Sequence, residues 1–165
     1  AWRSALNAFK DRQLFRIDMR HILNYTLEFE QFSQELTDLA ELVVTAAYQR
    51  CYAELLAQYG LPCLENGEAC PISVCALGKC GGRELGFASD IELIFIYAEN
   101  GRTRGPKTIT TAEFYEKLVE EFMSAIQARR EGIFAGFSSG ANVAAAMLLL
   151  ETRLPGKTVA VILCF

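Results

Sequence analysis

The sequence predicts an α+β fold with an N-terminal helical segment, a small mixed sheet and a C-terminal tail of one helix and one strand. Three observations carry that expectation. Phe29, Phe32, Leu36, Leu39 and Val43 recur at alternating intervals of three and four, which places them on one stripe of a helix. Residues 72–77 and 91–97 are short apolar runs bounded by turn residues, and read as buried strands. Thr110 and Glu113 form a capping-box pattern ahead of Phe114, Leu118, Phe122 and Ile126, which repeat every four residues.

Taken in order, residues 1–23 suggest an amphipathic helix with Trp2, Leu6 and Phe9 at helical spacing and a break near Asn24. The striped helix follows, and Gly60 with Pro62 stops it. Residues 61–71 read as a loop before the first strand. A glycine turn then leads to the second strand, which Asn100 and Gly101 end. A polar loop precedes the capped helix, which should run to about Arg130. Beyond Phe134 the texture changes to an alanine- and leucine-rich helix over 141–150 and a strand over 158–165. The chain stops inside that strand on an apolar residue, which reads as a gene fragment. The domain expectation is therefore 1–60 helical, 61–134 a partial α+β domain, and 135–165 a helix-strand tail.

Bulk properties narrow the function. With 165 residues, 52% of them hydrophobic and 22% charged, the chain can bury a core as one compact domain or two small ones. The net charge is −4, so no basic face advertises nucleic acid as a partner. The longest nearly uncharged stretch, 135–150, is too short and too polar at its start to span a bilayer, so no membrane association is expected. No secretory signal is visible, and the six cysteines form no CxxC pair. Reduced, structural thiols in a cytoplasmic protein are expected. A single histidine, His21, argues against a Ser-His-Asp triad and a multi-histidine zinc site, and reads as a surface residue.

The informative stretch is 78–97, GKCGGRELGFASDIELIFIY, which joins a glycine turn to two carboxylates at the start of a strand. Residues two apart on a strand face the same way, so Asp90 and Glu92 should project together while Ile91 and Leu93 point into the core. Two such carboxylates repel, and a bound cation relieves the repulsion. Magnesium suits the pair because it takes a few carboxylate oxygens together with substrate phosphates. The backbone amides around Gly81 and Gly82 would face the phosphates of ATP. Against this stands the plainer reading, a tight turn with Asp90 capping an exposed strand end. Arg102, Arg104 and Lys107 could reach a triphosphate or an acidic partner, but read first as a solvated loop.

The run 78–97 resembles the signature G-K-x-G-G-x-E-L-x-x-x-S-D-[IL]-D-L-I-F of the nucleotidyltransferase domains in bifunctional glutamine synthetase adenylyltransferase/adenylyl-removing enzymes. FKDRQLFRIDMR, ELTDLAE and TTAEFYEKLVEEFMSAIQARREGIF extend the likeness over about residues 1–134. The resemblance implies a nucleotidyltransferase-like fold. It also implies transfer of AMP from ATP to a tyrosine of glutamine synthetase, or its removal, with glutamine synthetase as partner. Gly81, Gly82 and Ser89 would serve the nucleotide, Ser89 by orienting the approach to the strand. Asp90 and Glu92 would be the catalytic carboxylates and magnesium ligands. Glu92 stands where the family usually has Asp. The family pattern also carries a further acid after E-G-I-F, where this chain continues AGFSSGANVAAAMLLL with no acid. Loss of one of three metal-binding carboxylates should weaken the in-line displacement.

Residues 131–165 resemble the late part of cysteine synthase (O-acetylserine sulfhydrylase), in which Ser138 or Ser139 would face the pyridine nitrogen of pyridoxal phosphate. Neither that family's Schiff-base lysine context nor its phosphate loop is present. The string E-G-I-F suits both resemblances, which suggests a hybrid joined at 131–134, natural or artificial. Three functions follow as expectations: an incomplete adenylyltransferase, a noncatalytic nucleotide-binding or interaction module, and a cysteine synthase fragment.

Overall fold

The computed structural model describes residues 1–25, 28–87, 89–126 and 158–162. It opens with two helices, α1 (Trp2–Ile22) and α2 (Phe29–Tyr59). Asn24 adopts a left-handed φ of 58° just past α1, which ends the helix where the sequence suggested. Strands β1 (Leu61–Leu64) and β2 (Ile72–Leu77), the short α3 (Gly78–Gly81), β3 (Glu92–Tyr97), β4 (Gly101–Arg104), α4 (Thr111–Ile126) and β5 (Thr158–Ile162) follow. Residues 127–157 and 163–165, with the expected end of the third long helix, the alanine-rich helix and both serines of the cysteine synthase resemblance, lie outside the described residues.

Among the described residues two sheets form, and every pairing in them is antiparallel. The larger has the order β2-β3-β5, so β3 is paired on both sides. Its register sets Leu77 opposite Glu92 and Ile72 opposite Tyr97. The smaller pairs β1 with β4, Leu61 opposite Arg104 and Leu64 opposite Gly101. That ribbon replaces the first four residues of the expected loop at 61–71 and part of the polar loop after Asn100.

One helix organises the interior. The first half of α2 contributes Phe32, Leu36, Leu39, Ala40 and Val43 to a cluster with Ile17 of α1 and with Cys80 and Leu85 around the glycine turn. Its second half contributes Ala47, Cys51 and Leu55 to a larger cluster with Leu93, Phe95 and Tyr97 of β3 and Phe114, Leu118 and Phe122 of α4. The helical stripe read from the sequence is therefore core with one exception. Phe29, its first residue, is 58% exposed at the start of α2 and meets α1 only edge-on, through the His21 ring at 6.2 Å.

The capping box forms as expected. The Thr110 amide donates to Glu113 Oε2 at 2.8 Å and the Glu113 amide donates to Thr110 Oγ1 at 3.1 Å, so two groups that the first helical turn leaves unpaired satisfy each other. On α4, Phe114, Leu118 and Phe122 are fully buried, and Tyr115 beside them donates its hydroxyl to the Cys70 carbonyl at 2.6 Å. Cys51, Cys63, Cys70 and Cys80 are buried free thiols, and Cys75 is exposed. Burial pushes the Cys51 thiol up to about 11. No helix among the described residues is long and apolar enough to cross a membrane.

Candidate functional site

At the end of β2 the chain enters a single helical turn through Gly78, whose φ of 52° is a left-handed conformation. Three backbone hydrogen bonds close the turn. The Gly82 amide donates to the Gly78 carbonyl at 2.9 Å, the Arg83 amide to Cys80 at 3.2 Å, and the Glu84 amide to Lys79 at 2.7 Å. The last two bonds are the nested six-to-one and five-to-two pair of a Schellman closure, which needs its middle residue in the left-handed region. Arg83 holds that place with a φ of 59°.

The two glycines singled out from the sequence have different roles here. A β-carbon on Gly81 would come within 2.5 Å of the Ala76 backbone carbonyl oxygen, so the turn folds onto β2 more closely than any side chain permits. On Gly82 it would meet nothing nearer than 3.5 Å. The Gly82 amide is spent inside the turn rather than directed outward. Cys80, immediately before them, is buried against α2, and burial raises its thiol, so it anchors the turn and is not a poised nucleophile.

Glu92 comes to this turn from the neighbouring strand. As first residue of β3 it lies opposite Leu77, and its carboxylate rests over Gly78, with Oε2 at 2.6 Å from the place a β-carbon there would occupy. Among the described residues the Glu92 side chain makes no hydrogen bond or ion pair. Asp90 is half-buried and stands two residues earlier, in the segment that leads into β3. Leu93 is buried, and Ile91 packs partly against both clusters. No group of three or more His, Cys, Asp or Glu that could hold a metal occurs among the described residues.

Ser89 accepts a hydrogen bond from the Gly86 amide at 2.9 Å and returns one from its own amide to the Gly86 carbonyl at 3.2 Å. This small loop is pinned from the other side by rings. Phe87 lies 4.6 Å from Phe32 and 5.7 Å from His21, which itself stacks on Phe32 at 4.2 Å. His21, expected at the surface, is thus half-buried in an aromatic cluster at the corner between α1 and α2. Arg102 and Arg104 lie exposed on β4, where a cleft of about 450 Å³ runs along the β1–β4 ribbon and includes no residue of the glycine turn.

Arg83 is the residue that sequence reasoning passed over. Its guanidinium donates to Glu41 Oε1 at 2.6 Å and to Asp38 Oδ1, both on α2. Those hydrogen bonds, Asp38 first, raise its already high affinity for the proton. Asp38 and Glu41 are three apart and share a helix face, so one planar guanidinium spans both. The pairs are exposed and add little to stability; their effect is to tie the turn to α2.

A helical floor, an antiparallel sheet, and a glycine turn facing an acid on the adjoining strand define an α+β domain of nucleotidyltransferase type. A family model described as glutamate-ammonia ligase adenylyltransferase matches residues 1–134, and the chain belongs to that family. Among its relatives is the bifunctional glutamine synthetase adenylyltransferase/adenylyl-removing enzyme of Vibrio parahaemolyticus, 37% identical over 134 residues, a match covering 80% of this chain and 14% of the relative. The enzyme of that name from Shewanella frigidimarina is 36% identical over 125 residues, covering 75% of this chain and 13% of the relative. That of Shewanella loihica is 39% identical over 103 residues, covering 62% and 11%. The chain therefore spans only 11% to 14% of the length of these relatives. The family match ends at residue 134, and nothing in it supports the cysteine synthase resemblance of 131–165.

Proposed function

We propose that this chain is the nucleotide-binding part of an adenylyltransferase that transfers AMP from ATP to a tyrosine of glutamine synthetase, or removes it, in the cytoplasm. The observation that carries the reading is the Glu92 carboxylate lying over Gly78 in a chain of this family. Asp90 and Glu92 would hold magnesium, and the donor chemistry fits: two acids two residues apart, with the carboxylate of Glu92 lying over the glycine turn. Magnesium, when bound, supplies neutralisation of phosphate charge.

The chain's own residues do the rest. The turn at 78–82 receives the triphosphate, with Gly81 letting it pack closely on β2. Ser89 braces the loop that delivers Asp90 to the start of β3. In transfer, the tyrosine hydroxyl of the partner gives its proton to solvent as its oxygen bonds to the α-phosphorus, the bond to the bridging oxygen breaks, and pyrophosphate leaves.

A titration with magnesium-ATP, paired with an adenylylation assay on glutamine synthetase, tests this reading. Saturable magnesium-dependent binding that Asp90→Asn and Glu92→Gln abolish is expected; binding indifferent to both substitutions overturns it. A second reading, a noncatalytic nucleotide-binding or interaction module, is favoured by the sequence after Phe134, which continues AGFSSGANVAAAMLLL with no acid. Binding without transfer selects it. Pyridoxal phosphate absorbance in the purified protein would instead revive the cysteine synthase reading.

A further inference from the structure

The residue after the two glycines occupies a position for which its type is poorly suited. The middle residue of a Schellman closure is ordinarily glycine, because a left-handed φ crowds a β-carbon. Arg83 takes that conformation with a φ of 59°. A long side chain held in that conformation points to work done by the side chain. Its contacts show which work. The guanidinium reaches Asp38 and Glu41 on α2, 45 and 42 residues away in sequence, and engages both. The neighbours on either side, Cys80 and Leu85, are buried against that same half of α2.

We infer that Arg83 is a positioning residue for nucleotide binding: it clamps the Gly78–Gly81 turn to α2 and so fixes the turn relative to the carboxylate of Glu92. The inference rests on the nucleotide-binding reading given above and adds a residue to it. Arg83 does not touch the nucleotide. With its guanidinium occupied by two carboxylates, it acts through the turn it carries. Left unclamped, the turn keeps its internal hydrogen bonds but moves against β3, and Glu92 loses its fixed place over Gly78.

The test uses the whole chain in three variants, Arg83→Gly, Asp38→Asn with Glu41→Gln, and all three changes together. The readouts are magnesium-ATP affinity, melting temperature, and exchange of the Gly82 and Glu84 amides. Glycine suits the left-handed position, so Arg83→Gly should leave the melting temperature nearly unchanged. It should weaken magnesium-ATP binding by about threefold to tenfold, a typical range for coupled groups. The Asp38/Glu41 variant should lose as much although Arg83 remains, and the triple variant no more than either. Wild-type affinity in Arg83→Gly overturns the inference. So does a triple variant in which the two losses multiply, because Arg83 would then contact nucleotide directly. If the unaltered chain binds no magnesium-ATP, the nucleotide reading fails by itself, and amide exchange decides the clamp. Exchange several-fold faster in the Asp38/Glu41 variant supports the clamp, and unchanged protection overturns it.

Discussion

The carboxylate of Glu92 occupies the space that a side chain on Gly78 would need, with Oε2 at 2.6 Å from the position of such a β-carbon. Strand and turn are thereby matched at one residue each. Gly78→Ala forces a change at both, because its φ of 52° disfavours any β-carbon and because Glu92 must swing away. The backbone conformation costs about 1–2 kcal/mol. Glu92 is flexible and moves cheaply, so the loss of magnesium-dependent ATP binding should exceed what that destabilisation explains. Denaturant melts and a titration on the same preparation check this; affinity preserved in a destabilised variant would contradict it.

Gly81 and Gly82 should respond differently to alanine. At Gly81 the new carbon meets the Ala76 carbonyl oxygen, a backbone atom that cannot rotate aside, and a loss of about 1–3 kcal/mol is expected. At Gly82 the nearest atom is 3.5 Å away and the backbone is right-handed, so alanine should be neutral or stabilise by about 0.4–1 kcal/mol. Chemical denaturation of the pair reads the difference, and equal losses would show that the turn does not pack on β2 as described.

Acid should weaken the start of α4. The Thr110 amide, and then the Thr110 hydroxyl, hold the Glu113 carboxyl below its ordinary 4.5. A group lowered in the folded state adds stability that is fully present above its unfolded value and disappears as pH falls through the folded one. The contribution should therefore be intact at neutral pH and fade below about 4.5. Glu113→Gln should lower the melting temperature at pH 7, with the gap to the unaltered chain closing as the pH drops past that range. A gap independent of pH would contradict the assignment.

Tyr115→Phe should destabilise the chain by about 1–3 kcal/mol, since it leaves the Cys70 carbonyl buried without its donor. Burial, first among the causes, keeps that phenol protonated far into the alkaline range, so the hydroxyl acts as a donor at every working pH. Thermal melts of the variant measure the cost. A loss no larger than for an exposed tyrosine such as Tyr25 would show the bond to be worth nothing.

Much of this is legible in the sequence, and the parts that are not have physical reasons. The α4 cap and its stripe were readable because both depend on residues three or four apart. The strands 72–77 and 92–97 were readable because they are apolar runs. Strands β1 and β4 were not: Gly101, Arg102, Thr103 and Arg104 show no apolar alternation, and Pro62 argues against a ladder. The glycine turn was visible as a motif, but the commitment of the Gly82 amide to Gly78 was not. Arg83 could not be found by composition at all. Nothing in an arginine codon announces a left-handed backbone, and its partners sit on a helix forty residues upstream.

A single long helix underlies both hydrophobic clusters, with Phe32 to Val43 beneath the turn and Ala47 to Leu55 beneath the sheet. The sheet and the turn thus share one foundation. Amide protection should be greatest midway along α2, and loosening there should free the glycine segment and the β-layer at the same denaturant concentration. Any evolutionary change to that shaft is felt at the acid and at the strands alike.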